Sequence, residues 1–211
     1  MELNWLRTQY LTAQGLSFIV AGTSKVYTPD QGRAMSTTQQ ATTIPTGTWN
    51  LDPVHSSIGF AVRHSGVMTF RGTFQEYDAK LIDGRLEGVV KVASVVVDDE
   101  NLAGHLQTPD FFDAEQHPEL RFTSKSIERD ANRVSIDGDL TLRGVTRPVE
   151  ITGTITGPIT DGYGNQRLGL DLETTVNRRD YGIDWGADLP SGEPMLADDV
   201  LITANLALVQ A

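Results

Sequence analysis

The chain has 211 residues, 39% of them hydrophobic, and a formal net charge of −11 from 17 basic and 28 acidic side chains. This charge repels phosphate backbones and no basic stripe interrupts it, so we expect no nucleic-acid partner. The lack of cysteine excludes disulfides, thiolate metal sites and cysteine nucleophiles, and no stretch approaches the ~18–20 apolar residues of a spanning helix, so we expect no stable membrane insertion.

Residues 1–47 precede the first predicted strand and are expected to lie outside the core. Met35 begins a polar run rich in Ser, Thr and Gln, which is typical of a disordered start, so we interpret Met35 as the true initiator. The alternatives are a native arm with a short helix over 3–11, or a secretory signal around the apolar segment 16–21, which is shorter than the ~7–15-residue core of such signals. We therefore expect a cytoplasmic protein, or a periplasmic or secreted one if the extension acts as a signal.

The segment from Thr48 to Phe74 predicts two antiparallel strands with a break at Ser65-Gly66. Side chains two residues apart on a strand share a face. One face of the first strand is apolar except for its last residue. One face of the second strand carries a methionine, two phenylalanines and a glycine. These faces carry Ile58, Phe60, Val62 and His64, then Met68, Phe70, Gly72 and Phe74.

Further alternating runs follow in chain order. Asp83-Gly84 is a hairpin turn before a strand over 86–97. Asp98 to Glu100 begin a short helix, and Pro109 marks either its end or a new first turn. Later strands start near Leu120, Val134, Val149, Leu168 and Val200. About eight strands with hairpin spacing favour an antiparallel barrel or a sandwich, and glycines in mid-strand at positions 59, 72, 138 and 153 favour the closed barrel.

The four histidines suggest a metal site, but their spacing does not support one. His55 and His64 are nine residues apart, so they would point to opposite faces of one unbroken strand. We expect His55 to bond near Asp52-Pro53. His64 is either a polar anchor for a ligand head group or a hydrogen-bonded core histidine. His105 and His117 are expected to be structural or exposed, and no metal or cofactor is predicted.

No pattern of catalytic residues stands out. The chain has no Gly-x-Ser-x-Gly elbow, and Asp110 and Asp113, which flank Phe111-Phe112, are interpreted as caps or solvated loop groups. Gly162-x-Gly164 reads as a hairpin turn. One arginine of the pair Arg178-Arg179 is expected to bond backbone carbonyls or Asp180 where the barrel closes, and the alternative is a contact to a phosphate or quinone head group.

Short motifs follow one another in a particular order between Trp49 and Val209. They are Trp49, Asp52, His55-Ser56, Phe60, His64, Gly72 to Phe74, His105-Leu106, Asp110 to Asp113, His117-Pro118, Phe122, Gly138, Leu140-Thr141, Gly144 to Thr146, Pro148-Val149 and Arg178 to Gly182. In order and spacing they resemble the YceI-like family. The resemblance implies an extended, lipocalin-like, eight-stranded antiparallel β-barrel whose elongated apolar cavity binds a polyisoprenoid or similar amphiphile, often as a homodimer. Tyr181 stands where the family pattern more often has Phe, which would add a hydroxyl at one end of the cavity.

We therefore predict an all-β barrel domain over 48–211 with a short helical insertion. Its predicted function is non-enzymatic binding of a polyisoprenoid or similar long-chain lipid, such as an isoprenoid quinone, for carriage, storage or stress protection. The alternatives are an enzyme acting on a small apolar or lipid substrate with His64 and Arg178, or a structural module whose barrel is filled. The predicted ligand contacts are Phe60, Val62, His64, Phe70, Phe74, Phe111, Phe112, Phe122, Leu140, Ile151, Leu170, Arg178 and Tyr181.

Overall fold

The computed structural model describes residues 43–211, so the expectations about Met35, the helix over 3–11 and the segment 16–21 lie outside the described residues. Eleven strands and one α-helix form in this part of the chain. They are β1 (Thr48–Leu51), β2 (Ser57–His64), β3 (Met68–Phe74), β4 (Tyr77–Ile82), β5 (Arg85–Lys91), β6 (Val95–Val96), α1 (Glu100–Gln107), β7 (Glu119–Asp130), β8 (Arg133–Leu142), β9 (Val145–Thr160), β10 (Gln166–Asn177) and β11 (Leu196–Gln210). No helix in the described range is long and apolar enough to cross a membrane.

The strands form one closed antiparallel barrel in which successive strands pair with each other and the last strand pairs with the first. The pairing order β1, β4, β5, β7, β8, β9, β10, β11 returns to β1, and β2, β3 and β6 continue the sheet from β11. Three of the eight barrel strands are each interrupted once, so β1 with β2, β3 with β4 and β5 with β6 are the two parts of one strand. The predicted eight-stranded antiparallel barrel with a short helical insertion is confirmed.

The last strand closes the barrel because it is long enough to pair with both parts of the first. In β11, Val209 pairs with Asn50 of β1, and Leu201 pairs with Ala61 of β2. Between these parts the chain makes a 3-10 turn over Pro53–His55. The gap is bridged by Asp52 N, which donates to Ala207 O at 2.8 Å, and by Ala207 N, which donates to Ser56 Oγ at 2.9 Å. The ladder is therefore continuous across the interruption.

Alternation along the strands builds the core, as the sequence predicts. In β8 the buried side chains alternate with more exposed ones and include Val134, Ile136, Leu140 and Leu142. The helix begins with Asp99 as its N-cap, whose carboxylate accepts from Leu102 N at 2.9 Å. We call the end of the barrel that carries α1 the helix end.

Packed side chains fill the opposite end, here called the closed end. Trp49, Leu81 and Leu208 are fully buried there, and Trp49 is paired in register with Leu81. The indole Nε1 of Trp49 donates to Thr46 O at 3.1 Å, which satisfies its polar atom. This end of the barrel leaves no large space.

A three-membered ion cluster joins two loops at the closed end. Arg167 lies with Nη1 2.8 Å from Asp52 Oδ2 and with Nε 2.6 Å from Asp161 Oδ2. His55 Nδ1 lies 2.9 Å from the same Asp52 oxygen, so the predicted local bond of His55 is confirmed. The hydrogen bonds from Arg167, and then from His55, lower the pKa of Asp52 to about 2 from 3.8. Arg167 likewise lowers the pKa of Asp161.

The cluster predicts a specific pH dependence of stability. Because the pKa of Asp52 is lower in the folded state, its contribution is present above the unfolded value near 3.8 and is lost as the pH falls towards about 2. Arg167→Gln should therefore lower the melting temperature at pH ~7 and show a smaller further loss between pH ~4 and ~2 than the unsubstituted protein. Circular dichroism melts at stepped pH measure this.

A matched control is Arg85→Gln, because Arg85 pairs with Glu87 at 3.2 Å between two exposed side chains. Exposed pairs contribute about 0–1 kcal/mol, so this variant should follow the unsubstituted protein at every pH. Parallel pH curves for Arg167→Gln and the unsubstituted protein would contradict the assignment.

Candidate functional site

Two apolar cavities lie inside the barrel. The main cavity, at the helix end, has a volume of about 190 Å³, and the inner cavity has about 80 Å³. Ile58, Leu120 and Ile202 line both, so the cavities adjoin. The main cavity is lined by Ile58, Phe60, Val62, His64, Phe70, Phe74, Leu102, His105, Leu106, Phe111, Phe112, Leu120, Leu142, Val176, Arg178, Ile183, Trp185, Leu196, Val200 and Ile202.

Four phenylalanines form one wall of the main cavity. Phe60 stands at the centre, with ring centroids 6.2 Å from Phe70, 5.8 Å from Phe74 and 5.9 Å from Phe112. The ring of Phe60 lies over Gly72, its partner in register, where a Cβ atom would come within 2.5 Å of the ring. Glycine at position 72 is therefore required for the close approach that places Phe60 in the wall.

The mouth of the barrel is covered by α1 and by segments without regular structure. His105, Phe111 and Trp185 pack edge to face or tilted, with ring centroids 5.0 to 5.4 Å apart. His105 Nε2 lies 3.0 Å from Asp110 Oδ2. Phe112 N donates to Leu106 O at 3.0 Å, which holds the loop after α1 against the helix. His105 thus combines a structural hydrogen bond to Asp110 with a place in the cavity wall.

Arg178 fixes the segment that completes the mouth. Its side chain is 3% exposed, and the backbone oxygens of Ala197, Ile183, Trp185 and Leu196 accept from it at 2.6 to 3.3 Å. Its Nη2 also lies 3.1 Å from Asp198 Oδ1. The guanidinium therefore donates four hydrogen bonds to backbone oxygens and forms an ion pair with Asp198. Arg178 therefore contributes its stem to the cavity wall, and its donors are occupied by the protein, as the backbone-carbonyl interpretation predicts.

His64 is a polar side chain in the wall of the main cavity. Its ring is half-buried, and Nδ1 lies 3.1 Å from Ser65 Oγ. Within residues 43–211, Nε2 has no hydrogen-bond partner. This geometry fits a polar anchor for a ligand, one of the two roles that the sequence leaves open.

The structure distributes the predicted ligand contacts over four places. Phe60, Val62, His64, Phe70, Phe74, Phe111, Phe112 and Arg178 line the main cavity, whereas Phe122, Leu140 and Ile151 line the inner one. Leu170 is buried in the core and lines neither cavity. Tyr181 lies instead on an outer groove between β9 and β10, so its hydroxyl does not end the lumen as the resemblance implied.

Several wall residues were not predicted. Ile58, Val200 and Ile202 continue the apolar faces of β2 and β11, so strand parity could have found them. Leu102 and Leu106 share a face of α1 and were visible as a helical pair. Ile183 and Trp185 lie in a stretch whose hydrophobic residues follow neither strand nor helix periodicity, so its sequence does not indicate which side chains are buried. Among residues 43–211, no group of three histidines and carboxylates is arranged to hold a metal ion.

Comparison with known proteins gives matches over this same region. A protein-family model described as the YceI-like domain matches residues 49–208. A UPF0312 protein of Staphylococcus epidermidis is 31% identical over 169 residues, which cover 74% of this chain and 94% of that protein.

Solved structures show the same fold at low identity. BcnA of Burkholderia cenocepacia has a TM-score of 0.62 at 18% identity, over 74% of this chain and 98% of that one. A polyisoprenoid-binding domain from Saccharophagus degradans has a TM-score of 0.62 at 13% identity, over 77% of this chain and 98% of that one. At these identities the likeness concerns the fold alone.

The contacts of Arg178 predict a large loss of stability when its donors are removed. Arg178→Met keeps an unbranched apolar stem but leaves buried carbonyl oxygens without donors, so unfolding in urea should become easier by about 2–5 kcal/mol. Arg71→Met is the control, because Arg71 is exposed and its one side-chain hydrogen bond within residues 43–211 goes to Thr69 O at 3.4 Å. A loss below about 1 kcal/mol for Arg178→Met would show that the carbonyl contacts do not hold the mouth.

Proposed function

Because this chain belongs to the YceI-like family, we propose that its barrel binds a polyisoprenoid or a similar long-chain amphiphile, such as an isoprenoid quinone, and releases it unchanged. The observation that carries the proposal is the pair of adjoining apolar cavities in the lumen. The name of the Saccharophagus degradans neighbour, a polyisoprenoid-binding domain, supports the same class of ligand.

Burial of hydrocarbon supplies the binding free energy. Each buried CH₂ group contributes about 0.8 kcal/mol, and the cost of ordering the chain offsets part of the sum. An engineered apolar cavity of about 150 Å³ stays dry and takes up benzene, so the main cavity, at about 190 Å³, suits a hydrocarbon segment better than water. A longer chain would enter the inner cavity if Ile58, Leu120 and Ile202 change rotamer.

The same proposal includes several finer points. We propose that the protein carries or stores the lipid, that it forms a homodimer, and that it is located in the cytoplasm, with the periplasm as the alternative. Each of these follows from the family resemblance or from the short apolar segment at 16–21. His64 is the proposed polar group of the main cavity that meets the ligand.

The enzyme alternative requires a catalytic arrangement around the lumen. His64 and Ser65 are hydrogen-bonded, but they are neighbours in sequence, and none of the described carboxylates is hydrogen-bonded to the His64 ring. A nucleophile also needs a base that a third group orients. Native mass spectrometry followed by organic extraction separates the possibilities, since an intact lipid supports binding, an altered product supports catalysis, and an empty barrel supports a structural role.

Placing a charge in the aromatic wall tests lipid binding. Phe74→Arg should abolish lipid retention, because a charged group would have to remain unpaired beside the hydrocarbon. Thr73→Arg is the control on the same strand, since Thr73 points outward and is exposed. Extraction and mass spectrometry measure the bound lipid, and circular dichroism verifies the β fold.

Phe70→Arg serves as the second variant, because Phe70 is only half-buried and an arginine there has a path to solvent. It should lose lipid even if Phe74→Arg does not fold. Lipid content equal to that of Thr73→Arg in a folded wall variant would argue against binding in the lumen.

A further inference from the structure

The wall of the barrel opens between β9 and β10 near the helix end. The two strands are paired from Gln166 and Thr160 as far as Glu173 and Thr152. β9 starts seven residues before Thr152, and β10 continues for four residues after Glu173. Over this stretch the strand ends are linked through Thr174 Oγ1, which donates to Glu150 O at 2.8 Å.

The separation begins directly after a point of very close contact. A Cβ atom on Gly153 would lie 2.0 Å from Asp171 O, so only glycine permits the two backbones to approach there. The ladder ends one pair beyond this contact, at Glu173 and Thr152, and Pro148 has no backbone N–H to donate to a ladder. The sheet therefore has a cleft where the ladder stops.

A polar groove lies on the outer side of this cleft. It has a volume of about 590 Å³ and is lined by Arg147, Pro148, Val149, Glu150, Thr174, Thr175, Val176, Asn177, Asp180 and Tyr181. Val149 and Thr174 also line the inner cavity, and Val176 also lines the main cavity. These three side chains therefore separate the groove from the lumen.

Tyr181, one of the residues that line the groove, carries a buried hydroxyl without a partner among the described residues. Tyr181 is 2% exposed, and its hydroxyl is the buried side-chain polar atom that finds no hydrogen-bond partner within residues 43–211. Burial, together with the nearby charge of Asp180, raises the pKa of Tyr181, so the group remains a hydrogen-bond donor. A buried donor without an acceptor is costly and calls for an explanation.

We propose that the polar head of the bound amphiphile leaves the lumen between β9 and β10 and lies in this groove, where an oxygen of the head accepts a hydrogen bond from the Tyr181 hydroxyl. This inference rests on the proposed function, because it assumes that the hydrocarbon chain occupies the lumen.

The charges of the groove indicate which heads it takes. Glu150 and Asp180 carry carboxylates, and Arg147 carries the guanidinium, whose Nε donates to Asp180 O at 3.3 Å. The net charge is therefore negative, which disfavours phosphate and carboxylate heads. An uncharged hydroxyl or carbonyl oxygen, as in an isoprenoid alcohol or quinone, fits the available donor.

The test compares two ligands that share one chain. The probes are geranylgeraniol and the corresponding hydrocarbon without the hydroxyl group, competing for the full-length protein in native mass spectrometry. The unsubstituted protein should prefer the alcohol. Tyr181→Phe should weaken alcohol binding by about three- to tenfold and leave the hydrocarbon unaffected, because it removes only the hydroxyl. Without ligand this variant should be at least as stable as the unsubstituted protein.

Tyr77→Phe is the matched control, since the Tyr77 hydroxyl donates to Ser56 O at 2.5 Å and does not line the groove. It should leave the preference for the alcohol unchanged. Thr175→Trp fills the groove from a position that lines neither cavity, so it should also weaken the alcohol selectively. Asp171→Trp, exposed on the same strand outside the groove, should have no such effect.

The outcomes separate this inference from the proposed function. If both probes bind and Tyr181→Phe and Thr175→Trp leave the preference for the alcohol unchanged, or weaken both probes equally, the head-group site in the groove is wrong and the lumen still binds lipid. If neither probe binds the unsubstituted protein, the proposed function fails and the inference fails with it. Selective loss of the alcohol in both variants supports the groove as the head-group site.

Discussion

Closure of a single antiparallel sheet through β11 determines the rest of this structure. Because β11 pairs with β1 at one end and with β2 at the other, the sheet has a continuous seam, and strand alternation sends one set of side chains into an enclosed space. At the closed end Trp49 and its neighbours fill that space. At the helix end the inward residues are fewer than the space requires, and an apolar void remains. The binding site is thus a consequence of incomplete filling.

Polar contacts hold the segments at the mouth of the cavity in place, whereas hydrophobic contacts hold its walls. Arg178 is a buried cation that donates four hydrogen bonds to the surrounding backbone, and this lets an irregular segment carry Trp185 to the opening. The aromatic cover formed by His105, Phe111 and Trp185 has no strand ladder of its own. Segments held by side-chain contacts open at lower free energy than the sheet, so entry of a ligand is expected to involve this cover or the cleft between β9 and β10.

The sequence predicts the strands well because their pattern is local. Alternation locates the apolar face of β2, and Asp83-Gly84 forms the expected two-residue turn with φ angles of 48° and 83°. What the sequence does not reveal depends on tertiary contacts. Nothing local places Leu170 outside the cavities, brings Trp185 to the mouth, or ends the β9–β10 ladder at Glu173. Tyr181 was assigned to the lumen from the family pattern, and only the geometry of the strand ends places it on the groove.

The central claim is that a hydrocarbon chain lies inside the barrel, and anomalous X-ray scattering tests it most directly. Crystals of the protein grown with an isoprenoid alcohol that carries bromine at the far end of its chain would give the position of that end. The account predicts a bromine peak in the lumen, near Ile58, Leu120 and Ile202, where the two cavities adjoin. Bromine peaks confined to the outer surface, or none in the lumen when the protein is saturated with ligand, would contradict it.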